Sequence, residues 1–353
     1  MSKILIQNGQ GANHYYRLAW AKAFQAVGHQ VFFWDKEGKS AFDAFGEMEP
    51  NIFIGSTWQL DRSIIKNLIK RPEVKVILCA DNWGDLQVDL EKYPVGVATD
   101  EQKRLAEELY VGTPGFRTVI TQHNPSYAQQ THGKWTSLGL SVYGLPLCAD
   151  VTEYFPTDTD DNYKCAFAYC GNYWKYKAES TLDKYIVPIL YPNTDWTVRL
   201  FGNGWPGPQS LGNIGSVELN KFYRNAGFVP SFGEGHSYDI YADLPQRYFQ
   251  VPASMGFQIA PKLLGIEEMF DAGNKEILLT ESKEEFFDRV LYYLNNPDET
   301  IPFRKKGCRR VFFEHTNFHR AASLLSFIGE DYSNLIHVGV KNHASICNYL
   351  EQV

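Results

Sequence analysis

"KILIQNGQGANHYYRLAWAKAFQAVGHQVFFWD", residues 3–35, changes its hydrophobic period twice. It opens on a short apolar run, KILIQ, as a buried strand would, and passes into a glycine loop, NGQGAN. From His14 to Gly28 the spacing turns helical, with Leu18, Ala21, Phe24 and Val27 on one apolar face. Gly28 ends that helix, and HQVFFWD is a second strand. Strand, helix, strand in this order predicts a right-handed crossover and a parallel pair.

The alternation continues outward. "NIFIGST" (51–57), "VKVILCAD" (74–81) and "RTVITQH" (117–123) are further short apolar runs between polar turns. It pauses at "LPLCADVTEYFPTDTDDNYK" (145–164), which has two prolines, a run of aspartates and little periodicity. A second alternating block follows. "CAFAYCGNYW" (165–174) and "WTVRLFGNGWP" (196–206) are strands running into glycine turns, with a helix expected near 178–190 between them. "SVELNKFYRNAG" is helical, "GFVPSF" strand-like, "LPQRYFQVPASMG" helical, and "FQIAP" and "KEILLT" are strands. "SKEEFFDRVLYYLNN" starts with a capping box, Ser282 with Glu285, and has Phe287, Val290, Leu291 and Leu294 as its apolar face. The expected plan is α/β: a doubly wound, Rossmann-like domain over 1–150, a linker over 151–162, a second such domain over 163–330, and a helical segment, 331–353, able to pack back on the first domain. Ligands of doubly wound sheets sit beyond the carboxyl ends of the strands, so the strand-end loops of two such domains can face one another across a cleft.

Composition narrows the function classes. The chain has 353 residues, 44% hydrophobic and 15% aromatic, which excludes disorder. No apolar run approaches the roughly 20 residues of a membrane span. The first strand is too short for the apolar region of a signal peptide. The six cysteines form no CxxC pair and read as free thiols in a reducing, cytoplasmic compartment. Cys165 and Cys170 read as core thiols, with no histidine at ligand spacing. A net charge of -7 argues against a broad electrostatic grip on nucleic acid.

Four loops at strand ends carry candidate chemistry, and each also has a bland reading as a turn. In the first, Gly9, Gly11 and Asn13 let a ligand approach a helix N-terminus. A dinucleotide fingerprint would need a third glycine at position 14, where this chain has His14. Asp81 follows the strand VKVILCA and is suited to take a proton from an acceptor hydroxyl; the alternative is a helix cap. His14 is the rival base. Gly171 and Asn172, followed by Lys175 and Lys177, suit a diphosphate. Gly202 and Gly204 allow a flat contact such as a base edge, with Asn203 between them. On the 244–256 helix, Tyr248, Val251 and Met255 form the core side, while Arg247, Gln250 and Ser254 form a polar stripe; an arginine forks onto a diphosphate and a glutamine suits ribose hydroxyls.

The segments "LPQRYFQVPASMGFQIA", "EMFDAGNKEILLTESKEEFFDRVLYYLNNPDE" and "GCRRVFFEHTNFHRAASLL" resemble the C-terminal half of the CgeB-like, spore-maturation-type glycosyltransferases of glycosyl transferases group 1, over roughly 163–327. The resemblance implies a GT-B fold and a nucleotide-sugar donor, most directly a UDP-sugar. It departs from the family at Gln250, where the family has a ribose-binding glutamate, and at Ala242, where the group 1 E-x7-E pattern has its first acid, with Asp243 beside it. The layout is also similar to the phage DNA β-glucosyltransferase, which implies a base at Asp81. The reading is therefore a metal-independent glycosyltransferase with a donor site at Gly171, Asn172, Lys175, Lys177, Gly202, Asn203, Arg247 and Gln250, and an acceptor glycan or small molecule on the first domain. "DTDD" (158–161) is solvated linker acid rather than a D-x-D metal motif. Two alternatives stand beside it: transfer to hydroxymethylated cytosine in DNA, and a non-catalytic protein that binds a sugar nucleotide or glycan.

Overall fold

In the computed structural model the described residues are all except 10, 81–99, 191–194 and 239–243. They fall into two compact units. The first comprises Met1–Pro146 with Asn317–Gly339, and the second comprises Leu147–Thr316 with Val340–Val353.

The first unit is built on a six-stranded, all-parallel sheet, β2-β1-β3-β4-β5-β6. Its strands are β1 Lys3–Gln7, β2 Gln30–Trp34, β3 Ile52–Ser56, β4 Lys75–Cys79, β5 Phe116–Thr121 and β6 Ser141–Gly144. The helices between them are α1 Ala12–Ala26, α2 Ala41–Met48, α3 Arg62–Ile69, α4 Asp100–Gly112, α5 Ala128–Thr131 and α6 Gly133–Ser137. Central strands are buried on both faces, with Leu5, Phe53, Val76, Leu78 and Val119 in one core, so they read as unbroken apolar runs. The chain goes from β1 to the β2 side and then returns to β3 on the other side. The switch point therefore lies between the carboxyl ends of β1 and β3.

The buried face of α1 differs from the expected one. Tyr16, Arg17, Ala19, Trp20, Ala23 and Phe24 are buried, whereas Leu18 and Val27 are only partly so. The cause is a second packing partner, α14 (Asn317–Phe327), whose Asn317 Nδ2 donates to the Ala19 carbonyl at 3.1 Å. Burial on two sides widens the stripe beyond a single apolar face. Residues 317–330, expected at the end of the second domain, belong to the first unit for the same reason. Arg320 Nε donates to the Pro146 carbonyl at 2.6 Å, Phe327 stacks on Tyr143 at 4.0 Å, and Lys75 pairs with Glu330 at 2.6 Å.

The second unit holds a five-stranded parallel sheet, β11-β10-β9-β7-β8. Its strands are β7 Cys165–Cys170, β8 Val198–Phe201, β9 Ala226–Pro230, β10 Gln258–Pro261 and β11 Leu278–Thr280. The helix expected near 178–190 begins earlier, as α7 Lys175–Lys177, then widens into a π turn over Ala178–Leu182 and continues as α8 Asp183–Tyr185 and α9 Val187–Leu190. Further helices are α10 Ser216–Asn225, α11 Arg247–Ala253, α12 Lys283–Asn295 and α13 Ile301–Glu314, while α15 Ser333–Gln352 begins in the first unit and belongs to the second from Val340 on. Here the switch point lies between β7 and β9.

The stretch expected as a linker is stitched to α10. Asn220 brackets Phe155 through both backbone groups, at 3.2 and 3.0 Å, Arg224 Nε donates to the Thr157 carbonyl, and Asp160 N donates to Asn225 Oδ1 at 2.8 Å. Within "DTDD", Asp160 accepts from Asn162 N–H and Asp161 pairs with Lys164 at 2.6 Å. The α12 capping bond forms as expected, Glu285 N–H to Ser282 Oγ at 3.1 Å. Its buried face, however, is Phe286 and Val290, and Leu291 is 51% exposed. All six cysteines are free; burial raises the thiols of Cys79 and Cys170 and lifts Cys165 to about 12. Among the described residues no helix is long and apolar enough to cross a membrane.

Candidate functional site

At the second switch point two glycine turns are pressed together. Gly202 has φ +114°, and a Cβ there would lie 2.3 Å from the Gly171 carbonyl oxygen, so only glycine fits. Asn203 N–H donates to Asn172 Oδ1 at 2.9 Å, Tyr173 N–H to the Asn203 carbonyl at 2.8 Å, and Trp205 Nε1 to the Gly171 carbonyl at 2.9 Å. Asn172 and Asn203 themselves stay exposed.

Arg247, on the first turn of α11, reaches this turn from beneath. A Cβ on Gly171 would sit 2.9 Å from its Nη2. Nη2 donates to the Cys170 carbonyl, and the guanidinium lies over the Tyr169 ring, 4.1 Å from its centroid. The residue is only 8% exposed, and among the described residues Nε and Nη1 meet no acceptor at hydrogen-bond geometry, the buried Tyr223 side chain being a nearby polar group that favours the guanidinium charge. A guanidinium remains charged under all working conditions, and leaving its donors unpaired costs free energy that the ring face offsets only in part. Ser254, the third member of the expected polar stripe, is fully buried and bonded to the Gln250 carbonyl; Gln250 is half-buried.

The two lysines part company. Two positions apart on a helix, they point to different sides. Lys175 is exposed, whereas Lys177 is buried and pairs with Glu234 Oε1 at 2.8 Å. Burial works against the Lys177 charge, but Tyr169 and Glu234 outweigh it and hold the ammonium above its ordinary value. Glu234 Oε2 and the Tyr169 and Tyr238 hydroxyls are buried without partners among the described residues. Sequence reasoning missed Glu234, four residues beyond β9 in "PSFGEG". The available signal was topological: an acid just past the strand that pairs with β7 faces the switch point.

In the first unit, the loop after β1 is equally constrained. A Cβ on Gly9 would meet Asn13 Cβ at 2.4 Å, and Gly11 has φ +57°, ψ −130°. Asn13 Oδ1 accepts from Tyr16 OH at 2.5 Å. His14 Nδ1 lies 2.8 Å from Asn8 Oδ1. Behind them Arg17, fully buried, donates through Nη1 to the Gln7 carbonyl at 2.8 Å and to Gln59 Oε1 at 3.3 Å, and through Nη2 to Ser56 Oγ. Asp81, Ala242 and Asp243 lie outside the described residues.

Residues 185–326 match the family described as glycosyl transferase-like. The chain is similar to an alpha-glucosyltransferase solved with UDP-glucose and DNA containing an abasic site, at TM-score 0.65 and 12% identity, covering 93% of this chain and 100% of that one. The fold is GT-B. Sucrose-phosphate synthase of Thermosynechococcus elongatus gives TM-score 0.59 at 14% identity, with 95% and 99% covered. The HepE protein of Anabaena, solved with UDP and glucose, gives 0.51 at 12%, with both chains fully covered (100%). A search of curated proteins finds no match. Family match and fold together support a glycosyltransferase, and two of these GT-B neighbours were solved with UDP or a UDP-sugar.

Proposed function

We propose that this GT-B chain transfers a sugar from a nucleotide sugar, most directly a UDP-sugar, to a hydroxyl acceptor, and that its donor half is of the CgeB-like type. One observation supports this most: a buried, charged Arg247 with two nitrogens, Nε and Nη1, unpaired among the described residues, at a glycine turn on the switch point of the matched unit. A diphosphate supplies the acceptors that this guanidinium lacks. Negative charge builds on the leaving diphosphate, and Arg247 with Lys177 stabilises it without a metal ion. Both unpaired nitrogens are closed off from water, so donor binding must shift the guanidinium or its cover. The N–H groups of Gly171 and Gly202 are spent on the Phe201 and Gly212 carbonyls, so these glycines contribute close approach alone, Gly171 at the diphosphate and Gly202 at the base, with Asn172 and Asn203 beside them; Gln250 takes the ribose hydroxyls, and Lys175 adds an exposed positive charge near the diphosphate.

The acceptor side belongs to the first unit, with Asp81 or His14 as base and the loop of Gly9, Gly11 and Asn13 beside the acceptor. A base opposite the leaving group implies inversion at the anomeric carbon. Asp81→Asn and His14→Ala, compared at saturating donor, test this: the base variant loses about 10²–10⁴ in kcat, and NMR of the product anomer reports inversion or retention. Retained configuration, or normal turnover in both variants, defeats the assignment. UDP release with a screened acceptor tests the reading as a whole, and binding without release points to a non-catalytic role. A second reading, DNA as acceptor, draws on the neighbour solved with DNA. The net charge of -7 weighs against it, and a salt-sensitive DNA shift would favour it.

A further inference from the structure

The imidazole of His14 ends a hydrogen-bond chain that starts at Arg17. Arg17 only donates, so it sets the polarity of the links as far as the Gln59 amide, which holds the Asn8 backbone. Its Nη2 donates to Ser56 Oγ, so the Ser56 hydroxyl turns its own proton to Gln59 Oε1 at 2.9 Å. Gln59 Oε1 also accepts from Arg17 Nη1, which leaves the Gln59 amide to donate from Nε2 to the Asn8 carbonyl at 3.2 Å. Asn8 is pinned on its other side by its N–H, which donates to the Trp34 carbonyl at 2.7 Å. From this fixed backbone the Asn8 side chain presents Oδ1 to His14 Nδ1 at 2.8 Å. Phe33 meets the imidazole edge-to-face at 5.5 Å, and the Gly11 carbonyl accepts from His14 N–H at 3.2 Å.

We infer that Asn8 is a positioning residue: it holds neutral His14 in the tautomer protonated on Nδ1 and so leaves Nε2 as the proton acceptor of the ring. An amide oxygen can only accept, so the ring nitrogen facing it must carry the proton. A histidine without such a partner favours the opposite tautomer, with its proton on Nε2 and no basic atom there. The catalytic use of this device rests on the glycosyltransferase reading. The acceptor hydroxyl would pass its proton to His14 Nε2 as its oxygen bonds the anomeric carbon, and the diphosphate would leave with the electron pair of the broken C–O bond. The tautomer itself does not depend on that reading.

The test is long-range proton–nitrogen correlation NMR on the 15N-labelled full chain, with the His14 signals identified by their loss in His14→Gln. At a pH where the ring is neutral, the wild type should show Nδ1–H. Asn8→Ala should move His14 towards Nε2–H, and Asn8→Asp should restore Nδ1–H. A wild-type Nε2–H pattern overturns the proposal with no variant needed, and so does an unchanged tautomer in folded Asn8→Ala. If UDP is released, kcat should fall roughly 10-fold or more in Asn8→Ala, with the KM for donor unchanged, and recover in Asn8→Asp. Unaltered kcat alongside a changed tautomer removes the catalytic role. A chain that releases no UDP but shows the Nδ1–H pattern contradicts only the glycosyltransferase reading.

Discussion

Each unit buries one arginine at the carboxyl ends of the strands that flank its switch point, and the two are used differently. Arg17 donates to three acceptors of its own unit, the Gln7 carbonyl, Gln59 Oε1 and Ser56 Oγ, and leaves only Nε unpaired among the described residues. Arg247 donates to one, the Cys170 carbonyl, and rests on the Tyr169 ring with Nε and Nη1 unpaired among the described residues. Burial and charge are the same in both cases, so neither property marks a ligand site. The distinguishing quantity is how many donors the protein leaves unmet. Arg17 is therefore read as internal framework and Arg247 as an anion contact that donor binding uncovers.

Four substitutions can break or sharpen that contrast. Arg17→Met strips two charged donors from buried acceptors and should cost about 3–5 kcal/mol of unfolding free energy in urea, with UDP affinity unchanged in the folded fraction. Arg247→Met should do the reverse, weakening UDP by about 1.5–3 kcal/mol, roughly 10- to 150-fold by calorimetry, with a smaller stability loss because one carbonyl goes unpaired. If both variants behave alike, the contrast fails. Gly202→Ala forces a Cβ against the Gly171 carbonyl at positive φ; thermal unfolding should show a loss of about 1–3 kcal/mol. Gln250→Glu should leave UDP affinity equal or slightly tighter, within about 0.5 kcal/mol. A tenfold loss there would place Gln250 away from the ribose.

The sheets were legible because buried parallel strands are short apolar runs between turns, and β1 to β5 and β7 to β11 lie on the runs read as strands. β6 was not read: Ser141–Gly144 is short, and its alternating burial blurs the signal. Periodicity failed where an element has two neighbours, as on α1, which also meets α14, and it could not show that Arg17 finds its acceptors at Gln7, Ser56 and Gln59, mostly distant in sequence. It also could not tell Lys175 from Lys177, since the sides of the helix that carry them are set by the sheet and not by the local sequence. Glu234 needed the strand order, in which β9 lies beside β7. The glycine turns at Gly171 and Gly202 were visible as composition, but the donors that Arg247 leaves unpaired could be counted only in three dimensions.

The most direct measurement is a crystal structure of the full chain grown with UDP. The account predicts that the guanidinium or its cover has shifted and that a diphosphate oxygen lies about 2.7–3.1 Å from Arg247 Nε or Nη1. Clear UDP density elsewhere, with Arg247 unmoved and both nitrogens still unpaired, would contradict it.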